Sequence, residues 1–156
     1  MNLSGDITVR APRPAVFEAV RDARFFASCI EGVRDLTEQD AEHYTARFET
    51  RLAYMSFKFD VAVALTAVEP PLRIEATLEG TPLGVVGRLA ATSTTTLTEV
   101  GDDTAIHYVL SVALTGKLGS LGRPVLTAKA KEMERQFTER LRAAFAPGAA
   151  RASASL

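Results

Sequence analysis

The sequence predicts an α+β domain in which a curved antiparallel sheet is closed by one long C-terminal helix. Two observations predict this class. Across residues 48–114, apolar and polar residues alternate segment after segment, as they do in strands that bury one face. Across residues 118–145, apolar residues recur at helical spacing. We expect six to seven strands wrapped around this helix, with either dry core or a ligand cavity between them.

Size and composition restrict the class of protein. A chain of 156 residues, 47% of them hydrophobic, suits one compact domain, which we place at residues 1–146. Eighteen basic and nineteen acidic residues give a net charge of −1, which supplies no global field for nucleic acid. The single cysteine, Cys29, forms no internal disulfide, and no secretion signal or membrane-spanning apolar run is apparent. We therefore expect a cytoplasmic protein with no nucleic-acid partner and no cofactor.

The N-terminal segment predicts one strand followed by a pair of short helices. Alternation over residues 2–9 indicates the first strand. Proline is tolerated in the first turn of a helix, so Pro12 and Pro14 favour a helix over residues 13–22. A second, short helical turn then continues the apolar surface and ends at Gly32.

Five further strands are predicted, and their alternation is the strongest local signal in the sequence. In residues 55–67, for example, one face is apolar throughout. Pro70 and Pro71 end that strand because proline cannot donate to a central ladder. Residues 80–84 are predicted to form a loop and residues 101–103 a hairpin turn. The five predicted strands are residues 45–52, 55–67, 73–79, 85–99 and 104–115.

The final helix carries its apolar residues along one slowly drifting stripe, with charged residues around the remainder. Residues 117–142 contain seven basic and three acidic side chains, so the outer face of the helix is locally cationic. Pro147 and Gly148 stop the helix. Residues 147–156 are small and polar, and we interpret them as a flexible C-terminal tail.

Four segments carry a resemblance to a known family. They are Ala-Pro followed by Ala-Val-Phe within residues 11–17, residues 22–32 ending in Cys-Ile-Glu-Gly, Val-Glu-Pro-Pro at residues 68–71, and the glycine-bearing residues 116–122. In order and spacing they resemble the helix-grip fold of the START-like, or SRPBCC, superfamily. Within it they resemble the CoxG family, which takes its name from a subunit of carbon monoxide dehydrogenase. One departure is Glu31, where that family's pattern has a proline.

The resemblance implies a non-enzymatic binding protein whose apolar cavity lies between the concave sheet and the long helix. Members of that family occur with molybdenum-containing hydroxylases such as carbon monoxide dehydrogenase, where they are thought to carry a quinone-like lipid or to hold the enzyme at the membrane. The expected partners are therefore a hydrophobic small molecule, either a quinone or a lipid, and a molybdenum hydroxylase. Because residues 147–156 contain no apolar anchor, we expect any contact with the inner face of the membrane to be weak and peripheral.

An independent search for catalytic residues gives little. His43 and His107 have no cysteine or histidine at metal-ligand spacing, so we interpret both as surface histidines. Cys29 has no histidine in its local sequence and is interpreted as a small buried thiol. Asp22 and Asp60 are interpreted as capping or solvent-facing carboxylates rather than as general bases. We predict neither a catalytic residue nor a metal site.

The glycines of residues 116–122 are expected to serve the backbone rather than a phosphate group. This segment lacks the Gly-Lys-Ser/Thr ending that a P-loop requires. Glycine allows the chain to turn sharply where the long helix begins. A mobile hinge at this point, gating the cavity, is a hypothesis that stiffening Gly119 and Gly122 to alanine would test.

Seven apolar residues are the candidate cavity lining, and the sequence leaves open whether they are ordinary core. Burial of each large side chain contributes roughly 1.5 to 3 kcal/mol, so the same residues can stabilise the fold and wall a pocket. The alternative function is a polyketide cyclase or aromatase-like enzyme, whose polar candidates are Tyr54, Ser56, Asp60 and Tyr108. The candidate lining residues are Phe48, Phe57, Phe59, Leu110, Leu121, Met133 and Phe137.

Overall fold

The computed structural model describes residues 1–146, and these form a seven-stranded antiparallel sheet with three α-helices. The elements are β1 (Asn2–Val9), α1 (Arg13–Arg21), α2 (Ala23–Cys29), β2 (Val33–Glu38), β3 (His43–Leu52), β4 (Met55–Glu69), β5 (Arg73–Pro82), β6 (Gly87–Val100), β7 (Asp103–Gly116) and α3 (Arg123–Ala144). The strand order is β1-β7-β6-β5-β4-β3-β2, and α3 lies across the interior face. The predicted α+β class is confirmed, whereas the predicted tail, residues 147–156, lies outside the described residues.

Asp22 separates the two short helices. Its carboxylate accepts the backbone N–H groups of Arg24, at 2.9 Å, and of Phe25, at 3.3 Å, and so caps the N-terminus of α2. The helix predicted over residues 13–22 therefore ends at Arg21. The carboxylate has the capping role that the sequence predicts for it.

The sheet differs from the prediction at two places. Strand β2 was not predicted: its pairing with β3 is irregular between Arg34 and Thr37, and Asp35 has a positive φ of 55°. Such an irregularity interrupts the alternation of side chains, so periodicity does not reveal the strand. The loop predicted at residues 80–84 is wrong at its start, because β5 continues to Pro82.

Helix α3 begins later than its periodicity predicts. After β7 the chain forms a 3-10 turn at Lys117–Ser120, flanked by Gly116 and Gly122, whose φ angles are 63° and 84°. Residues with a side chain rarely adopt these angles, so glycine allows the backbone to change direction here. The helix then starts at Arg123. The single helix predicted over residues 118–145 is therefore wrong at its start.

Two clusters of buried side chains form the core. The N-terminal cluster joins β1, α1, α2 and the C-terminal half of α3, whereas the hairpin cluster lies beside the β3–β4 hairpin. Together they close both ends of the interior sheet face. The N-terminal cluster consists of Ile7, Val9, Ala11, Val16, Phe17, Cys29, Ile30, Ile74, Leu97, Ile106, Phe137 and Leu141, and the hairpin cluster of Leu52, Phe57, Phe59 and Leu118.

Candidate functional site

The middle of the interior sheet face, between the two clusters, is only half-buried. Its side chains point towards α3 by strand alternation, yet they belong to neither cluster. The backbone of α3 packs most closely on α2, β1 and β3 rather than on the central strands. Three of the side chains, those of Ala76, Ala91 and Ser93, are also small, which leaves space beneath the helix. The residues of this concave band are Val63, Ala76, Leu78, Ala91, Ser93, Leu110 and Val112.

A pocket of about 460 Å³ opens between α3 and the β3–β4 hairpin. Phe48 and Phe57 line it from the sheet, and Met133 lines it from the helix. Small-molecule sites in proteins have volumes of about 300 to 1,000 Å³, so this pocket is large enough for a ligand. The other lining residues are Glu31, Gly32, Glu49, Thr50, Arg51, Ser56, Lys58, Lys129, Glu132 and Gln136.

The rim of this pocket carries three acidic and three basic side chains. Lys129 Nζ donates to Glu132 Oε2 at 2.7 Å. Gln136 accepts the backbone N–H of Glu31 and donates to its carboxylate, both at 3.3 Å, which ties α3 to the segment after α2. The mouth is therefore polar and its charges balance, while the floor is aromatic.

The structure divides the seven predicted lining residues among three environments. Phe48, Phe57 and Met133 line the pocket, and Leu110 lies in the concave band. Phe59 and Phe137 are closed into the two core clusters, and Leu121 packs against the hairpin cluster. Phe59 stacks with Phe57 at a centroid distance of 6.0 Å and with Phe48 at 6.4 Å, so it supports the pocket floor from behind.

A second groove, of about 470 Å³, lies on the opposite, convex face of the sheet. Its lining includes the outward-pointing side chains of Arg47, Asp60 and Glu79. Arg47 Nη2 donates to Asp60 Oδ1 at 3.2 Å. Because no aromatic side chain lines this groove, it suits an apolar ligand less well than the pocket beneath α3.

Tyr108 and Glu134 form a hydrogen bond between the sheet and the long helix. The hydroxyl of Tyr108 donates to Glu134 Oε1 at 2.5 Å, and both side chains are half-buried. Burial, followed by the hydrogen bond and the charge of Glu134, raises the pKa of Tyr108 well above its ordinary value. Gly5 lies opposite Tyr108 in the β1–β7 pair, and a Cβ there would collide with both partners.

Sequence reasoning missed Glu134 by placing it on the charged outer face of the helix. Its carboxylate instead points inward to Tyr108. A signal was available, because Glu134 precedes Phe137 by three residues and Leu141 by seven, which places all three on one side of a helix.

The other polar candidates lie at the surface. Tyr54 and Ser56 are exposed, and Asp60 is paired with Arg47 on the convex face. His43 contacts Asp40 at 2.9 Å, and His107 contacts Asp6 at 2.8 Å. Among the four cyclase candidates, Tyr108 alone points to the interior face. Within residues 1–146, no three His, Cys, Asp or Glu side chains are grouped so that they could hold a metal ion.

One end of the sheet is positively charged, although the chain as a whole is nearly neutral. The β3–β4 hairpin, the β5–β6 loop and the β7–α3 connection meet there, and the N–H of Lys117 donates to the carbonyl of Val86 at 2.9 Å. We define this basic end as residues 50–58, 80–89 and 114–124, which contain five basic residues and no acidic one.

The basic end also exposes apolar side chains. Tyr54 is 95% exposed and Val86 is 84% exposed. All five basic side chains are exposed as well, and Arg88 is paired with Glu79 at 2.9 Å. The basic residues are Arg51, Lys58, Arg88, Lys117 and Arg123.

The turns at the opposite end of the sheet have the reverse charge. Residues 39–42, 69–73 and 99–103 contain six acidic residues and one basic residue. The net charge of −1 therefore conceals a separation of charge along the sheet. None of the helices in residues 1–146 is long and apolar enough to cross a membrane.

Comparison with solved structures shows the fold. The structure is similar to a conserved protein from Geobacillus kaustophilus (TM-score 0.85, 22% identity, covering 95% of this chain and 97% of that one). It is also similar to a START superfamily protein from Mycobacterium smegmatis (TM-score 0.66, 14% identity, covering 91% and 94%). A third similar structure is an aromatase/cyclase from Streptomyces sp. R1128 (TM-score 0.66, 13% identity, covering 92% of each chain). The fold is therefore the START-like helix grip that the sequence predicts.

Comparison of sequences shows the family. No curated protein matches the chain significantly. The model of the CoxG family, named for a subunit of carbon monoxide dehydrogenase, however, matches residues 5–146. This range includes every strand but the start of β1 and all three α-helices. This protein belongs to the carbon monoxide dehydrogenase CoxG family.

Proposed function

We propose that this protein binds a hydrophobic small molecule, a quinone or a lipid, beneath α3 and acts as a carrier rather than as an enzyme. The observation that carries the proposal is the concave band, which is mostly apolar and interior but only half-buried. In a dry core these side chains would be closed from solvent, as those of the two clusters are. The adjoining pocket of about 460 Å³ and the membership of the family support a ligand-binding role.

Extraction and titration test this proposal. Protein purified without detergent is extracted with organic solvent, and mass spectrometry of the extract is expected to identify a lipophilic molecule. The emptied protein is then expected to bind the uncharged dye Nile red saturably and to release it when a quinone or lipid is added.

A pair of adjacent substitutions locates the bound dye. Ala91 points into the concave band, whereas Ala90 points to the convex face. Ala91→Phe is therefore expected to abolish dye binding, because the larger side chain fills the space, and Ala90→Phe is expected to retain it. Equal dye binding by the two variants, or none by the wild type, would count against a cavity beneath α3.

We also propose that the carrier serves a molybdenum-containing hydroxylase such as carbon monoxide dehydrogenase, at the inner face of the membrane. Family membership supports the enzyme partner, and the basic end supports a weak contact with anionic lipid. Tagged protein is expected to co-purify the dehydrogenase from cells. If it binds lipophilic molecules but captures no such enzyme, the adaptor role fails and the carrier role stands.

The second candidate function is a polyketide cyclase or aromatase-like activity. It is favoured by the interior position of Tyr108 and its hydrogen bond to Glu134, because such a pair can exchange a proton with a bound substrate. A cyclised product formed from a poly-β-ketone by the wild type but not by Tyr108→Phe would favour this enzyme over the carrier.

A further inference from the structure

A group of polar side chains interrupts the apolar interior face at the edge of the concave band. Ser93 belongs to the band, and Thr95 follows it on the same face of β6. Thr95 lies directly beside Tyr108 of β7, whose hydroxyl donates to Glu134 of α3. All four side chains are half-buried. We define Ser93, Thr95, Tyr108 and Glu134 as the interior polar cluster.

The Tyr108–Glu134 pair offers hydrogen-bond acceptors to a ligand. The phenolic proton is already committed to Glu134 Oε1 at 2.5 Å. Because the raised pKa of Tyr108 keeps this hydroxyl protonated, its oxygen has only lone pairs left to offer. The second carboxylate oxygen of Glu134 is an acceptor too. A ligand group that meets this pair must therefore donate a proton.

The rest of the cluster is adaptable. The hydroxyls of Ser93 and Thr95 can rotate to donate or to accept a hydrogen bond. A hydroxyl group on a ligand both donates and accepts, so it matches the cluster on both counts. An ether or a bare carbonyl only accepts and leaves the pair without a donor.

The position of the cluster fits the end of a ligand lying along the concave band. On the β1 side there is no space, since even a Cβ on Gly5 would collide with the Tyr108–Glu134 pair. On the other side the register places Ser93 opposite Leu110, and both belong to the band. An apolar body in the band would thus bring its end group to the cluster.

We infer that the interior polar cluster binds the hydroxyl end of a lipophilic ligand, such as an alcohol, phenol or hydroquinone, in preference to a carboxylate, ether or carbonyl end. The ligand hydroxyl donates to Tyr108 Oη or to Glu134, and Ser93 or Thr95 donates to it in turn. A carboxylate is disfavoured because it would place a second negative charge beside Glu134 in a half-buried site. This inference rests on the proposed ligand binding and adds the chemical class of the ligand.

Matched probes test the inference by displacing Nile red. Para-dodecylphenol and its methyl ether differ only in the donor, and dodecanoate supplies the negative charge. The phenol is expected to bind about tenfold more tightly than the ether, as for one net hydrogen bond. Dodecanoate is expected to bind more weakly than the phenol.

Variants assign the preference to the cluster. Replacing both partners of a hydrogen bond by apolar groups of similar shape disturbs a fold little, so the double variant Tyr108→Phe/Glu134→Leu is the sharpest change. Its ratio of ether to phenol dissociation constants is expected to fall to within about threefold, with Nile red binding retained. Glu134→Gln is expected to improve dodecanoate binding. Tyr54→Phe, the same chemical change at an exposed turn, is the control and is expected to leave every ratio unchanged.

The outcomes separate this inference from the proposed function. Equal binding of phenol and ether by a wild type that binds Nile red would overturn the inference and leave the carrier function standing. A phenol preference that persists in the double variant would also overturn it, because the preference would then arise elsewhere. If Nile red and all three probes fail to bind, both the inference and the proposed function fail.

Discussion

Cys29 shows how burial controls the chemistry of a single residue. It is 1% exposed within the N-terminal cluster. Burial raises the pKa of its thiol, and this effect outweighs the hydrogen bond from Ser28 and the charge of Arg140. Because the thiolate is the reactive form, the folded chain holds its cysteine in an unreactive state.

Alkylation of Cys29 by iodoacetamide is therefore expected to be slow in the folded protein at neutral pH and fast in urea. Mass spectrometry measures both rates, and the single cysteine makes the assignment unambiguous. Because the folded pKa is raised, this thiol should also reduce the free energy of unfolding as the pH rises above its ordinary value of 9.0. Fast labelling without urea would contradict the buried position.

Gly5 is the second residue whose environment decides its role. Gly5→Ala is expected to lower the free energy of unfolding by about 1 to 3 kcal/mol, because the added methyl group must displace Tyr108 and Glu134. Urea denaturation measures the change. Ser4→Ala, at the neighbouring exposed position, is the control and is expected to change stability by less than about 0.5 kcal/mol. Similar stability of both variants would show that α3 does not press against β1 here.

Among the helices and strands, the connection from β7 to α3 determines how freely the long helix can move. Leu118 is fully buried in the hairpin cluster and anchors this connection. Gly122 has a positive φ, so alanine there would strain the backbone whether or not a hinge exists. Gly119 has no such angle, and a Cβ would lie 3.3 Å from the carbonyl oxygen of Leu114. Gly119→Ala is therefore the cleaner test of a hinge.

If this connection gates the cavity, Gly119→Ala should slow both binding and release of Nile red by a similar factor and leave its dissociation constant nearly unchanged. Stopped-flow fluorescence measures the two rates. The wild type and the convex-face variant Ala90→Phe serve as references. Unchanged rates would remove the hinge hypothesis without affecting the proposed ligand.

Across the protein as a unit, charge separation gives a preferred orientation in an electric field. The basic end combines uncompensated cations with exposed Tyr54 and Val86, whereas the turns at the opposite end are acidic. Near an anionic bilayer each basic residue contributes roughly 1 kcal/mol, and this contribution is screened by salt. The basic end should therefore face such a surface.

Removal of two charges tests this orientation. Lys58→Gln/Lys117→Gln is expected to weaken co-sedimentation with vesicles containing phosphatidylglycerol roughly 30-fold, as for about 2 kcal/mol. The matched control, Arg34→Gln/Lys131→Gln, removes two exposed charges outside the basic end and should bind almost as the wild type does. Equal losses in both variants would show that net charge alone governs binding. Sedimentation without vesicles would instead reveal self-association.

Tryptophan substitutions report which end meets the bilayer, since the chain has no tryptophan of its own. Val86→Trp in the β5–β6 loop is expected to shift its emission to the blue on vesicle binding. Val100→Trp, at an exposed valine of the opposite end, is expected not to shift. A shift in Val100→Trp alone would reverse the proposed orientation.

Local residue patterns were enough to predict the types and the order of most elements. Alternation is a local property, so β4 was predicted at residues 55–67 and is found at Met55–Glu69. It failed at β2, where an irregular register and the positive φ of Asp35 interrupt the pattern. It also placed Phe59 and Leu110 correctly on the interior face. Which face a side chain occupies follows from its own strand.

The packing of distant elements was needed to tell which interior residues are core and which border open space. Phe59 is closed into the hairpin cluster and Leu110 lies half-buried in the concave band, because coverage depends on where α3 passes over the sheet. Glu134 points inward because Gly5, distant in the chain, has no side chain to exclude it. Alternation and helical spacing report one element at a time, whereas a cavity is the distance between two elements.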